Sequence, residues 1–264
     1  MQTAELRLHQ SISHFLLVFF SIWIFSCSSP KKETQDNSGA NVDEPSEVIQ
    51  SDNFEDILTK APGILELKLI EAGLIDVQTL AADILIDMKY ATEDNFVNTI
   101  VYDDLHNCYL QPDVAQKLAK AFQYLKEERP DLTLLVYDCA RPLSVQQIFW
   151  DLVDVPENQK HNYVARPSQG SIHNYGCAVD LTLADTLGNA LDMGTEFDYF
   201  GEEAHTDKED EWIKKGMLTV DQVKNRKLLR KIMIKAGFTP INYEWWHFNA
   251  TSRETAKEKY ALIE

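Results

Sequence analysis

Four side chains in two short stretches have the types and order needed to hold a metal ion and to activate water beside it. In S171-I-H-N-Y-G-C-A-V-D180 a histidine and an aspartate lie seven positions apart around Gly176. In Y243-E-W-W-H-F248 a glutamate precedes a histidine by three. A strand over 177–183 points Cys177, Val179, Leu181 and Leu183 one way and Ala178, Asp180 and Thr182 the other, so Asp180 faces away from its apolar neighbours. A turn at Gly176 folds His173 back alongside it. Taken alone, His-x6-Asp is weak evidence, because a buried aspartate in a polar network is the commoner case.

The second stretch adds the missing donors. Glu244 and His247 are an odd number of residues apart, so a regular strand would send them to opposite faces. If both serve one site, the chain is bulged or turning there. His173, Asp180 and His247 then supply three ligands and leave a zinc ion one open position for water. Glu244 is left free to take a proton from that water. The bland alternative is a strand end whose tryptophans are core and whose Glu244 and His247 are decoration.

These residues need a frame. I84-L-I-D-M-K-Y90 alternates as a strand with one covered face, and L132-T-L-L-V-Y-D138 reads as a buried strand. Pro112 opens a segment with Val114, Leu118, Ala121, Phe122 and Leu125 at helical spacing, ending before Pro130. Ser144 with Gln147, and Thr219 with Gln222, have capping-box spacing ahead of two further helices. The second of these runs to about Ala236, where Gly237 ends it. Strands and helices are interspersed without regular βα alternation, which makes the fold class α+β.

Domain organisation follows composition. Residues 15–25, FLLVFFSIWIF, are too few to span a bilayer as a mature helix. With the following Ser26-Cys27 they resemble a bacterial lipoprotein signal, which implies cleavage after residue 26 and a lipid on Cys27. Residues 27–53 contain no aromatic side chain and read as a flexible tether. Residues 54–264 form one domain. The net charge of −17 disfavours nucleic acid and anionic membrane surface as partners, so the membrane is met only through the N-terminal lipid. The protein is therefore expected to be exported, on the periplasmic or cell-envelope side. Cys108, Cys139 and Cys177 allow one disulfide, whose pairing spacing does not decide. His106, His161 and His205 read as surface or structural residues.

The two chemical stretches resemble the SxHxxGxAxD and ExWH signatures of the zinc D-alanyl-D-alanine dipeptidases, the group of the vancomycin-resistance dipeptidases. K89-Y-A-T-E-D-N-F96, Y137-D-C-A-R-P142 and M193-G-T-E-F-D198 extend the likeness over about residues 75–250. The resemblance implies a single domain with a mainly antiparallel central sheet flanked by helices, the fold of the Hedgehog and D,D-peptidase zinc enzymes. It implies one Zn2+ per chain on His173, Asp180 and His247, with Glu244 as catalytic base and Arg141 stabilising the tetrahedral intermediate. It also implies that Tyr90, Asp138 and Asp198 meet the ammonium end of a small D,D-dipeptide and that Ser171 hydrogen-bonds substrate. Ala204-His205 departs from the family's frequent Ser-His, and the connection between Arg141 and His173 is short. The expected activity is hydrolysis of D-Ala-D-Ala in cell-wall turnover. The alternatives are a zinc D,D-carboxypeptidase or endopeptidase acting on peptidoglycan stems, and a non-catalytic zinc-stabilised binding module.

Overall fold

Two runs that bury both of their faces, Leu132–Asp138 and Ala178–Asp185, form the centre of the sheet. The structure is a computed structural model that describes residues 62–264. The expected signal segment 1–26, Cys27, the expected tether 27–53 and the expected start of the domain at 54–61 lie outside the described residues. In chain order the elements are α1 (Ile64–Glu71), β1 (Ile75–Asp76), β2 (Leu85–Ile86), β3 (Tyr109–Leu110), α2 (Pro112–Glu128), β4 (Leu132–Asp138), α3 (Leu143–Leu152), β5 (Ala178–Asp185), α4 (Glu209–Lys214), α5 (Val220–Lys235), β6 (Thr239–Pro240), β7 (His247–Asn249) and α6 (Arg253–Lys259). Among the described residues no helix is long and apolar enough to cross a membrane.

The five-stranded sheet has the order β2-β4-β5-β7-β6, with β2 parallel to β4 and every other pair antiparallel. A separate antiparallel pair joins β1 to β3. Leu118 and Leu125 of α2, and Leu229, Ile232 and Met233 of α5, pack with Leu134, Val136, Val179, Leu181 and Phe248 in one core. Burying each such side chain contributes roughly 1.5–3 kcal/mol relative to exposure, which fixes this sheet face under the helices. The other face carries a smaller apolar cluster of Leu135, Tyr137 and Ala184 and, toward one end, the polar Asp180. The architecture is the α+β class, mainly antiparallel, that the sequence predicts.

Local signals explain the helix ends. Pro112 occupies the first turn of α2, where its missing N–H costs nothing. Thr219 and Gln222 form the expected capping box on α5, through Thr219 N–H to Gln222 Oε1 at 2.7 Å and Gln222 N–H to Thr219 Oγ1 at 3.2 Å. Gly237, at φ 92°, ends that helix.

Two expectations are corrected. The capping box at Ser144 and Gln147 does not form: α3 begins two residues earlier, with Pro142 at the N-cap position and no side-chain cap, and Gln147 instead donates to Asp151 at 2.9 Å. The strand expected over 84–90 pairs only at Leu85 and Ile86. It is an edge strand with one neighbour, and a 3-10 turn over Lys89–Ala91 takes Tyr90 into a cluster with Tyr102 and Phe149.

Candidate metal centre

Strand pairing assembles the first part of the site. Asp180 on β5 is the cross-strand partner of His247 on β7 and of Asp138 on β4. A regular β4 would aim Asp138 with Leu132, Leu134 and Val136 into the helix-covered core. The register shifts between Val136 and Asp138, and this bulge turns Asp138 onto the face of Asp180. Chain irregularity also resolves the odd spacing of Glu244 and His247. Residues 242–246 bend and β7 starts only at His247, as the sequence requires if both serve one site.

His173 comes from a 3-10 turn over Ile172–Tyr175. Ser171 Oγ accepts from the His173 N–H at 3.4 Å, and Asn174 Oδ1 accepts from the Ser171 N–H. Gly176 closes the turn at φ 64° and its N–H donates to the His173 carbonyl at 3.0 Å. A Cβ at Gly176 would meet Leu74 Cδ2 at 2.8 Å and the Gln111 nitrogen at 3.3 Å. Glycine is thus required both for the dihedral and for the space.

The three candidate ligands converge. His173 Nε2 lies 3.2 Å from His247 Nδ1 and 3.4 Å from Asp180 Oδ2, and His247 Nδ1 lies 2.9 Å from Asp180 Oδ1. Ligand atoms of all three lie within 4.8 Å of one another; His173 and Asp180 are buried and His247 is partly so. The outer ring nitrogens are taken. His173 Nδ1 donates to the Cys139 carbonyl at 2.6 Å, and His247 Nε2 donates to Asn249 Oδ1 at 2.9 Å. With the outer N–H groups engaged, loss of the remaining ring proton leaves each imidazole a lone pair facing inward, beside a carboxylate. Inward lone pairs with outer N–H groups held by carbonyl oxygens are the arrangement that suits a zinc-type cation.

The charges agree with that fit. Burial opposes the charge on Asp180, but the facing His173 and His247 rings outweigh it and hold the carboxyl well below its usual range. Burial would also lower His247, yet the Asp180 carboxylate raises it to about 9. His247 would have to give up that proton to hold a cation, so loading at neutral pH would release it.

Glu244 Oε2 lies 3.8 Å from His247 Nδ1, with the side chain 29% exposed to the cleft. Burial pushes its carboxyl upward, toward the range useful to a general base. Arg141 donates from Nε to Asp138 at 3.0 Å, from Nη1 to Gln146 Oε1 at 3.0 Å, and from Nη2 to Asp138. Two of its five N–H groups remain for a ligand. The guanidinium lies 4.9 Å from the Phe149 ring and 5.3 Å from the Tyr90 ring, and Nη2 is 4.0 Å from Asp180.

The expected substrate contacts divide. Tyr90, Ser171 and Asp198 line a cleft of about 570 Å³ together with the three candidate ligands, Glu244 and Arg141. The Tyr90 hydroxyl donates to Asp198 at 3.0 Å. Burial, with the charge of Asp180, pushes the Asp198 carboxyl well above its ordinary range. Asp138 is a correction: its side chain is fully buried behind Arg141, taking hydrogen bonds from Arg141 and the Tyr102 hydroxyl, and it does not reach the cleft surface. Its charge is already matched by the guanidinium, so it serves Arg141 and not an incoming ammonium.

Several cleft residues were not legible as such. Residues 142–172 form one wall, where Tyr163, Arg166 and the exposed His161 line the cleft; His161 had read as surface or structural. Arg253 lines the same cleft, with Nη1 donating to the Gly170 carbonyl at 2.6 Å. Asn249 had a usable signal, since a residue two beyond His247 shares its strand face. Gln146 and Arg253 had none.

A pair of imidazoles and a carboxylate around a cation-sized gap, with a free glutamate and a buried arginine at its edge, defines a metal-dependent hydrolase centre. Comparison with known proteins narrows the class. The Peptidase_M15 model, described as D-Ala-D-Ala dipeptidase, matches residues 70–262. The D-alanyl-D-alanine dipeptidase of Escherichia coli K12 is 35% identical over 175 residues, 66% of this chain and 83% of the relative. The enzyme of the same name from Enterococcus faecium is 28% identical over 198 residues, 68% and 92% of the two chains. A solved structure of VanYB in complex with D-alanine-D-alanine matches with a TM-score of 0.36 at 16% identity, over 57% of this chain and 76% of that one. The chain belongs to the D-Ala-D-Ala dipeptidase family and is a metallopeptidase.

Proposed function

We propose that this protein hydrolyses the free dipeptide D-Ala-D-Ala to two D-alanines at a single zinc ion held by His173, Asp180 and His247. The observation that carries the reading is the pair of imidazole nitrogens turned inward beside Asp180, their rings held from outside by the Cys139 carbonyl and Asn249. Zinc bound there supplies Lewis acidity and a water whose pKa is near neutral. Glu244 takes the proton from the attacking water and returns it to the leaving amine. Arg141, held by Asp138 and Gln146, offers its two free N–H groups to the developing oxyanion, where fixed charge is more effective than in ground-state binding.

Substrate length is set by charge at both ends. The dipeptide ammonium meets Asp198, with the Tyr90 hydroxyl orienting that carboxylate, and the positive ligand brings the displaced Asp198 titration back toward its ordinary range. Ser171 hydrogen-bonds substrate from the turn that carries His173. The C-terminal carboxylate meets Arg253 on the opposing wall, where no carboxylate among the described residues pairs with it. A longer stem peptide replaces the ammonium by an amide and leaves Asp198 uncompensated.

The site's setting is the exported side of the membrane, with a lipid on Cys27 as anchor and turnover of wall-derived dipeptide as role. The buried Cys108–Cys139 disulfide supports an oxidising compartment. A panel of free and N-acetylated D,D-peptides, assayed with and without a chelator, tests the reading. Free D-Ala-D-Ala should be cleaved, chelation should stop it and zinc restore it. Undiminished cleavage of the capped substrate points to a D,D-carboxypeptidase instead.

A further inference from the structure

The cysteine pair lies where stability and chemistry meet. Cys108, just ahead of β3, is bonded to Cys139, and the two are 0% and 1% exposed. Cys139 sits inside the segment that orients the candidate centre. Before it, Asp138 anchors the Arg141 guanidinium. Its own carbonyl takes the His173 Nδ1 hydrogen at 2.6 Å. After it, the Arg141 N–H donates to the His173 carbonyl at 3.0 Å, and Asn174 Nδ2 donates to the Arg141 carbonyl at 2.7 Å.

The disulfide is the one covalent tie between this segment and the neighbouring β1–β3 pair. The β4 ladder ends at Asp138, directly after the bulge. Beyond it the link to the β1–β3 pair is one backbone hydrogen bond, from the Ala140 N–H to the Tyr109 carbonyl at 3.1 Å, plus the disulfide. Cys108 is itself tied down, because its carbonyl accepts the Val77 N–H at 3.0 Å.

We propose that the Cys108–Cys139 disulfide is a positioning clamp for the metal centre, so that the enzyme is fully competent only when this bond is formed. The proposal rests on the zinc dipeptidase reading above. Reduction replaces a covalent bond by a contact between two buried thiols, and residues 138–141 must shift to make room. That shift moves the acceptor of His173 and the anchor of Arg141 together. Displacement of catalytic groups by about 1 Å costs on the order of 10²-fold in rate, and loss of an outer hydrogen bond to a ligand costs about 10-fold or more in metal affinity. A chain still in a reducing cytoplasm would then spare the dipeptide pool there and gain activity on export. Cys177, the remaining described cysteine, is buried and its thiol is pushed up to about 12, so it does not compete for the exchange.

The test uses the full chain, oxidised or treated with a water-soluble phosphine. Reduction breaks the S–S bond, adds two electrons and two protons to give two thiols, and oxidises the phosphine to its oxide with oxygen drawn from water. D-Ala release, zinc affinity by chelator competition and near-ultraviolet circular dichroism are followed. Reduction should lower kcat by about 10- to 100-fold, with KM within threefold, and weaken zinc affinity about 10-fold, reversibly on reoxidation. Cys108→Ala/Cys139→Ala should show the same losses and no response to phosphine, which separates the clamp from direct effects of the reductant. If that variant does not fold, reduction of the native protein decides alone. Unchanged kcat and zinc affinity after verified reduction overturn the proposal. Global unfolding on reduction overturns it too, since the bond then serves the fold and not the site. If the oxidised protein lacks dipeptidase activity, the function reading fails while zinc affinity still judges the clamp.

Discussion

The sheet wall of the cleft and the wall formed by residues 142–172 are built in opposite ways. On the sheet wall Asp180 and His247 are paired across a ladder, with Asp180 buried and the outer ring nitrogen of His247 fixed by Asn249. On the other wall Arg166, Gln169 and His161 are exposed on a connection without strands. Regular structure restricts where a ligand atom can sit, whereas a connecting segment tolerates change of length and side chain. On the proposed reading the chemistry belongs to the sheet and the segment beside it, and substrate selection to the charged side chains around the rest of the cleft, Asp198 and Arg253 among them. Substitutions that alter kcat should be separable from those that alter KM along this division.

Among the charged residues around the candidate ligands, the sharpest break outside Glu244 is expected at Arg141, whose Nη2 lies 4.0 Å from Asp180. Arg141→Ala should lower kcat for D-Ala-D-Ala by about 10²–10³-fold with a much smaller change in KM, measured by steady-state D-Ala release. An equal loss in KM would place Arg141 with the selecting residues.

Asp198 comes next and carries a pH signature. Its carboxyl titrates above the ordinary range through burial and the charge of Asp180. Only the ionised form attracts an ammonium, so KM should rise as pH falls through that elevated titration. Asp198→Asn should raise KM by about 10- to 100-fold, the size of a hydrogen bond to a charged group, and should flatten this acid limb. A limb that persists in the variant assigns it to another group.

Arg253 should give the smallest effect of the three, because it is only partly buried. Arg253→Ala is expected to raise KM about 10-fold and to shrink the penalty for replacing the substrate carboxylate by a carboxamide. Equal penalties in wild type and variant would remove Arg253 from substrate recognition.

The same division governs what could be read from the chain. Alternation over 177–183 was enough to turn Asp180 away from the core, because side-chain direction in a regular strand depends on parity alone. The odd spacing of Glu244 and His247 likewise announced irregular backbone. Asp138 was illegible for the complementary reason: its parity pointed it into the core, and the bulge that reverses it is a property of β4 and β5 together. Gln146 and Arg253 act through contacts with residues distant in the fold or across a loop, so local pattern carried no sign of them. At α3, Ser144 and Gln147 had the right spacing, but the helix start is set two residues earlier, at Pro142.

The central claim is that Glu244 works on water at a zinc ion held by three other residues. The direct measurement is zinc content and D-Ala release for Glu244→Ala beside wild type. The expected result is one zinc per chain in both proteins and a fall in kcat of about 10²–10⁴-fold, the usual contribution of a general base. Dipeptide hydrolysis at the wild-type rate by the zinc-loaded variant would contradict it.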